Sequence, residues 1–343
     1  MSRFSVALVV LVACHPPQVT APPPTPENVS HYKLSVVALP GASPEGIFLD
    51  YLGFDPTTGF VWVPAGPTGS VDVVDTATGT LTRIEGFATK EIEREGKKRT
   101  VGPSSVTFGR GLAFVGNRGD STICAVDAKT LVRGMCGSPL DAMPDGIAYV
   151  AETDELWVTT PHDKSLRILD AQTLAQKERL PFDGEPEGFA VDAEHHRFYT
   201  NLEDKDLTLA IDVASHKTVA TWKPMCGDGG PHGLRLAEHE GFLFVACSSK
   251  VQALDISHDG NIAGTLPTGA GVDDLDYVPG THRLYVPAAS DGTLSVIEVG
   301  AGGALTLVDT VPTKKGARNG VVDTKGAIYI GDGHSSALLV VAP

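Results

Sequence analysis

Five times along this chain an apolar strand ends in aspartate at almost the same interval: Val73-Val74-Asp75, Ala125-Val126-Asp127, Ile168-Leu169-Asp170, Ala210-Ile211-Asp212 and Ala253-Leu254-Asp255. Glu298 takes the same place after Val296-Ile297, and the successive spacings are 52, 43, 42, 43 and 43 residues. A fixed period of this length belongs to repeat architectures in which each unit is one supersecondary piece that buries its apolar faces only against its neighbours.

Each unit reads as four short segments. The second segment is the most regular: Phe60-Val61-Trp62-Val63, Leu112-Ala113-Phe114-Val115, Leu156-Trp157-Val158, Phe198-Tyr199-Thr200, Phe242-Leu243-Phe244-Val245, Leu284-Tyr285-Val286 and Ile328-Tyr329-Ile330. Short apolar, β-branched and aromatic runs punctuated by Gly, Pro, Asn and Asp every eight to twelve residues argue an all-β chain. A four-stranded unit of about 43 residues is the size of a propeller blade, and seven copies predict a seven-bladed β-propeller. The last unit lacks a fourth strand after Ala337-Leu338-Leu339-Val340-Val341, while the strand-like Lys33-Leu34-Ser35-Val36-Val37-Ala38-Leu39 precedes the first. Pairing the two closes the ring and satisfies an otherwise open sheet edge.

The repeated Asp is a turn residue in this reading. In Asp75-Thr76-Ala77-Thr78, Asp127-Ala128-Lys129-Thr130 and Asp170-Ala171-Gln172-Thr173 the carboxylate is placed to accept backbone N–H bonds from the turn that follows it. A residue needed in every blade serves the blade, so these acids are not read as catalytic.

Residues 1–14 are set apart from the fold. Arg3 followed by the apolar run Phe4 to Ala13 has the charged start and short hydrophobic core of an export signal, and it is too short to span a bilayer, which takes about 20 residues. Leu11-Val12-Ala13-Cys14 resembles the lipobox of bacterial lipoproteins, which implies lipidation of Cys14 and a lipid anchor in the cell envelope. His15 stands where inner-membrane lipoproteins carry Asp, which favours the outer membrane, with the domain on its periplasmic or surface face. Residues 15–32, including Ala21-Pro22-Pro23-Pro24-Thr25-Pro26, form a Pro-rich tether that would hold the domain, residues 33–343, roughly 50 Å from the membrane at about 3.1 Å per residue.

Four cysteines remain, an even number in a compartment that permits disulfides. Cys124 lies on a strand and Cys136 follows its return strand, which predicts a bridge worth about 3 kcal/mol on the chain-entropy estimate. Cys226 and Cys247 fall on one face and form the second expected bridge, the rival being a thiolate metal site with His232. The net charge of −15 weighs against nucleic acid as a partner, because phosphate binding relies on clustered Lys and Arg.

Pro144-Asp145-Gly146-Ile147-Ala148, Pro186-Glu187-Gly188-Phe189-Ala190-Val191-Asp192, Trp157-Val158-Thr159-Thr160 and Tyr199-Thr200-Asn201 resemble the YVTN-type β-propeller repeats of exported bacterial proteins. The resemblance covers roughly residues 33–343 and implies a propeller rather than an activity; its members are mostly binding or surface proteins. Blades 1 and 2 depart most from the pattern.

Alignment of the blades puts Asp50, Ser104, Asp145, Glu187, His232, Asp273 and Asn319 at equivalent positions where the innermost strands begin, ringing one mouth of the central channel. Loops on the same face add Asn117, His162, Asp163, Asn201, Glu203, Asp204, Asp291, Asp332 and His334. Asp50, Asp145, Glu187, His232, Asp273 and Asn319 are therefore the candidate ligand-binding residues. Converging carboxylates suit Ca²⁺, which takes about six to eight oxygens, and with Glu187, His232 and Asp273 the ring offers ligands to another divalent metal. The 52-residue first interval holds a charged insertion, residues 89–99, beside the same mouth, and its Lys97, Lys98 and Arg99 are placed to attract an anion.

Arg118-Gly119-Asp120 matches an adhesion tripeptide by chance, His195-His196 falls in a turn on the opposite face, and His239-Glu240 lacks the second His of the helical zinc motif. The first functional reading is a monomeric binding module that presents its channel mouth to a protein, glycan or small-molecule ligand. The alternative is a metal-dependent lactonase, hydrolase or lyase at the channel, which rests on analogy of fold.

Overall fold

The computed structural model describes residues 31–41, 46–94 and 96–343, and within them the chain is a ring of seven four-stranded antiparallel sheets. The expected export signal, Cys14 and nearly all of the tether lie outside the described residues. No helix among the described residues is long and apolar enough to cross a membrane.

Blade 1 comprises strands Gly53–Asp55, Phe60–Ala65, Ser70–Asp75 and Leu81–Ile84, and blade 2 comprises Pro103–Gly109, Leu112–Asn117, Thr122–Asp127 and Arg133–Cys136. Blades 3 to 6 repeat the meander from Ile147, Pro186, Pro231 and Asp276. Blade 7 takes Ala317–Val322, Ile328–Asp332 and Ala337–Ala342 from the end of the chain, and its fourth strand is Lys33–Ala38, paired antiparallel from Lys33 opposite Ala342 to Ala38 opposite Ala337. The expected closure is formed.

Side-chain alternation explains why the second strands are apolar throughout. A blade is covered on both faces, so successive residues serve different neighbours. Val61 and Val63 enter the cluster between blades 7 and 1, while Trp62 between them enters the cluster between blades 1 and 2. The same division gives one buried cluster at each of the seven blade junctions. Trp62, Phe114, Trp157, Phe198 and Phe244 are wholly buried there, each contributing roughly 1.5–3 kcal/mol or more of hydrophobic stabilisation. The outermost strands are exposed, as in Arg133–Cys136, and carry charges such as Lys177 and Arg179 that discourage pairing with another sheet edge.

The repeated aspartates occupy their turns as expected. Asp75 accepts from Ala77 N at 2.8 Å, Asp127 from Thr130 N at 2.7 Å, Asp170 from Thr173 N at 2.8 Å, Asp212 from Ser215 N at 2.9 Å and Asp255 from Ser257 N at 2.9 Å. These bonds favour the ionised form, and all five carboxyls lie below the usual Asp value; at Asp255 burial opposes them and is outweighed. Glu298 differs: it pairs across the ladder with Arg283 at 2.8 Å.

Both expected disulfides are present, Cys124–Cys136 and Cys226–Cys247. Cys124 stands directly opposite Cys136 in the ladder. With both sulfurs of the second pair bonded to each other, the thiolate metal site with His232 is ruled out in this state. The insertion after blade 1 is a β-hairpin, Lys90–Arg94 paired with Lys97–Val101. Gly96 supplies the turn at φ 72°, and opposite charges face across it, Lys98 meeting Glu91 at 2.7 Å.

Candidate functional site

The innermost strands begin at one face, and four of them carry a register shift close to their first residues, in blades 2, 4, 5 and 7. Such bulges turn a side chain away from the ladder's alternation. In blade 7 the shift lies between Arg318 and Gly320, and Asn319 takes a left-handed φ of 55°. Asn319 is buried and donates to Asp50 Oδ1 at 3.2 Å across the blade 7 to blade 1 seam. Arg318, one residue before it, lines the channel mouth instead.

The mouth holds a cavity of about 170 Å³ to which Asp50, Asp145, Glu187 and Asp273 all contribute, together with His162, Glu185, Glu203, Phe48, Arg99, Arg118 and Arg318. His232 stands just behind it, its Nδ1 3.2 Å from Glu203 Oε1 and its Nε2 3.3 Å from Ser248 Oγ. The remaining loop residues from the sequence ring serve the scaffold. Asp204 pairs with Lys164 at 2.9 Å, Asn201 donates to His232 O at 2.7 Å, Asn117 bonds Asp120 at 2.9 Å, Asp163 accepts from Ser165 at 2.8 Å, Asp291 caps Ala270 N at 2.8 Å and Asp332 accepts Ser335 N at 3.2 Å. His334 lines a separate pocket beside Gly316.

Three arginines change the character of this ring. The guanidinium carbons of Arg99, Arg118 and Arg318 lie 5.2, 5.5 and 5.8 Å from the centre of the Phe48 ring, within cation–π range. Arg118 is 6 % exposed; its Nη2 pairs with Asp50 at 2.7 Å and also with Asp145, and its Nε donates to Pro144 O at 3.3 Å. Arg318 Nη1 meets Asp273 at 3.3 Å. Arg118 belongs to the tripeptide read as a chance match, and its neighbour Asn117, not Arg118 itself, was the expected channel residue. Only the ring geometry shows that the loop turns this guanidinium inward.

The buried acids respond to their surroundings. Desolvation pushes the Asp145 carboxyl up to about 6, with Asp50 and Asp273 adding to the rise and Arg118 opposing it. Glu187 is raised well above the ordinary carboxylate range by desolvation and by the nearby charges of Asp145, Asp50, Asp273 and Glu203. Burial pulls the His232 imidazole down, but its hydrogen bond to Glu203 and the charges of Glu203 and Asp273 outweigh it and leave its pKa raised. Deeper in the channel Tyr51 O–H donates to Glu187 at 3.4 Å, and Asp274, beside Arg235 at 3.3 Å, is pushed by burial up to about 7.

The expected metal ligands do not gather. No group of three or more His, Cys, Asp or Glu side chains able to hold a metal ion occurs among the described residues. His232 is directed to Glu203 and Ser248, Asp273 to Arg318, and Glu187 to Tyr51, so each of the three is engaged by a different partner.

Comparison with known proteins bears on the fold alone. No protein-family model matches the chain, and no curated protein matches it in sequence. Solved structures do match. A chain of a mitotic checkpoint complex superposes with a TM-score of 0.71 at 13 % identity, covering 97 % of this chain and 99 % of its own. A chain of the hydrazine synthase of Kuenenia stuttgartiensis gives 0.71 at 13 %, with 92 % and 99 % covered, and U3-55K gives 0.69 at 13 %, with 90 % and 98 % covered. The seven-bladed propeller is thus shared with proteins of unrelated activities, and function must be argued from the site.

Proposed function

We propose that this chain is an exported lipoprotein, anchored in the bacterial outer membrane through Cys14, whose propeller acts as a binding module and takes its ligand at the channel mouth. The carrying observation is the convergence of charged side chains from six blades, and from the hairpin between blades 1 and 2, on one cavity. Charges are costly to bury, no blade needs these residues for its ladder, and perturbed carboxyls gathered in a cleft mark functional sites. The cavity is smaller than the roughly 300–1,000 Å³ clefts that take drug-sized ligands, which favours a small molecule over a protein or glycan. The two disulfides fit an oxidising compartment. The metal-dependent hydrolase or lyase reading finds no supporting ligand group among the described residues.

The reading is tested by exposing purified protein to an envelope extract, repurifying it and weighing it by native mass spectrometry. A bound mass that is lost in Arg318→Gln supports it, and a bare protein from every extract overturns it. Radiolabelled fatty acid incorporated by the wild type and not by Cys14→Ser tests the anchor.

A further inference from the structure

The mouth is electrically divided. Phe48 sits at the seam between blades 7 and 1, where Ile47 N bonds Gly333 O at 2.8 Å, and the three guanidiniums surround its ring. Across the ring from that seam stands blade 4, which supplies Glu187 from its innermost strand and Glu203 from the loop after its second strand. One cavity therefore has a wall of guanidiniums interleaved with their partners Asp50, Asp145 and Asp273, and opposite it a wall with the acids Glu187 and Glu203.

The two walls do not neutralise each other. Arg118 is committed to Asp50 and Asp145, and Arg318 touches Asp273 through Nη1. Glu187 has no cationic partner: its hydrogen bond among the described residues comes from the Tyr51 phenol, at 3.4 Å. Asp145 Oδ2 is buried with no hydrogen-bond partner. A buried carboxylate so placed is unfavourable until a cation reaches it or it takes up a proton. On the other wall a guanidinium has five N–H donors in a planar fork suited to carboxylate, more than the Arg318 ion pair uses.

We propose that the mouth binds a small zwitterion of the α-amino acid class, its carboxylate on Arg318 and its ammonium on Glu187 and Glu203. This deepens the binding-module reading and rests on it. A simple anion would meet six carboxylates among the lining residues, and a simple cation would meet three guanidiniums. A molecule carrying both charges meets each wall with its opposite. A primary ammonium has three donors on a compact centre, which two flanking carboxylates can share without the further oxygens a metal ion demands.

The test is calorimetric titration and thermal denaturation of the full propeller with each of the common L-amino acids. Each hit is repeated with its analogue lacking the amino group and its analogue lacking the carboxylate, as propionate and ethylamine are for alanine. The expected result is saturable binding of at least one amino acid with both analogues at least tenfold weaker. Arg318→Gln and Glu187→Gln should each weaken binding by tenfold or more, while His239→Gln on the opposite face leaves it unchanged. Because an ammonium and a proton compete for the buried Glu187 carboxyl, whose pKa is raised, affinity should fall as the pH is lowered in the wild type, and the fall should be smaller in Glu187→Gln, where Asp145 still titrates. If either variant fails to give a wild-type circular dichroism spectrum, Arg318→Lys or Glu187→Asp takes its place. Equal binding of the carboxylate or amine analogue alone, or no binding by any amino acid, overturns the proposal. In that last case a bound mass from envelope extract would still uphold the wider binding reading.

Discussion

The phenol of Tyr51, carried just ahead of blade 1, donates to Oε1 of Glu187 on blade 4 at 3.4 Å, so a neutral donor and an acid join two blades on opposite sides of the ring. Burial and the neighbouring Glu187 charge raise the Tyr51 pKa well above its ordinary value, so the phenol stays protonated and remains a donor.

Glu187→Gln should stabilise the empty protein at alkaline pH. The amide keeps an acceptor for Tyr51 and removes a buried charge without a cationic partner, a gain on the order of 1 kcal/mol. A carboxyl whose folded pKa is raised binds more protons in the folded state, so stability falls as pH rises from the unfolded carboxylate value towards the folded one. His232, also raised, adds stability below its unfolded pKa that is lost as pH rises through the folded one. Thermal denaturation should therefore give a higher Tm at pH 5.5 than at pH 8, with the difference reduced in Glu187→Gln. An unchanged profile would count against the burial argument.

Arg118→Met should be severely destabilising. It leaves Asp50 and Asp145 facing each other without their shared guanidinium, and breaking a buried ion pair from one side costs about 3–5 kcal/mol. Denaturant unfolding measures it, and the loss should shrink at low pH, where Asp145 is protonated.

Deletion of residues 33–39 should destabilise the whole ring, not blade 7 alone. The outer edge of Ala337–Ala342 loses its partner strand along six paired residues, and the 7 to 1 junction loses the packing of Val37 and Leu39. A truncated protein with an unchanged Tm would show that the ring closes by other means.

Replacing Cys124 and Cys136 together by Ser should cost about 3 kcal/mol on the chain-entropy estimate, read from denaturant unfolding. Ligand binding should be unaffected, because the bridge joins the two outer strands of blade 2.

Asp170→Ala should lower the Tm at neutral pH, and the effect should shrink as the pH is lowered below the ordinary Asp range of about 3.9. Its folded pKa is lowered by bonds from Thr173 and Gln172, so its contribution is present above the unfolded value and lost as pH falls through the folded one. Amino acid titration of this variant should match the wild type.

The architecture was legible because it is repeated. Asp75, Asp127, Asp170, Asp212 and Asp255 each mark the end of a third strand, and counting from them reaches the seven junction cores and the closing strand. The same count located Asp50, Asp145, Glu187 and Asp273 at one cavity. It could not find Arg118 or Arg318, while Arg99 stood out through the 52-residue first interval. Arg318 reaches the mouth because a bulge at Asn319 displaces the register by one, Arg118 because its loop folds inward, and Arg99 because an acid-and-base-rich insertion forms a hairpin instead of an open loop. Each departs from the period, so the periodic signal predicted an acidic ring where the structure has a divided one.

The strand Lys33–Ala38 has a second consequence beyond holding the circle together. The joint that it fastens is the same one at which Asn319 grips Asp50 and where the Phe48 ring gathers its three guanidiniums. If that clasp opened, blades 1 to 6 would retain their ladders and blade 7 its inner three strands, yet the two walls of the cavity would no longer be held facing each other. Recognition at the mouth is thus a property of the closed circuit, held by no single repeat, and occupancy of the mouth would in turn tighten the clasp.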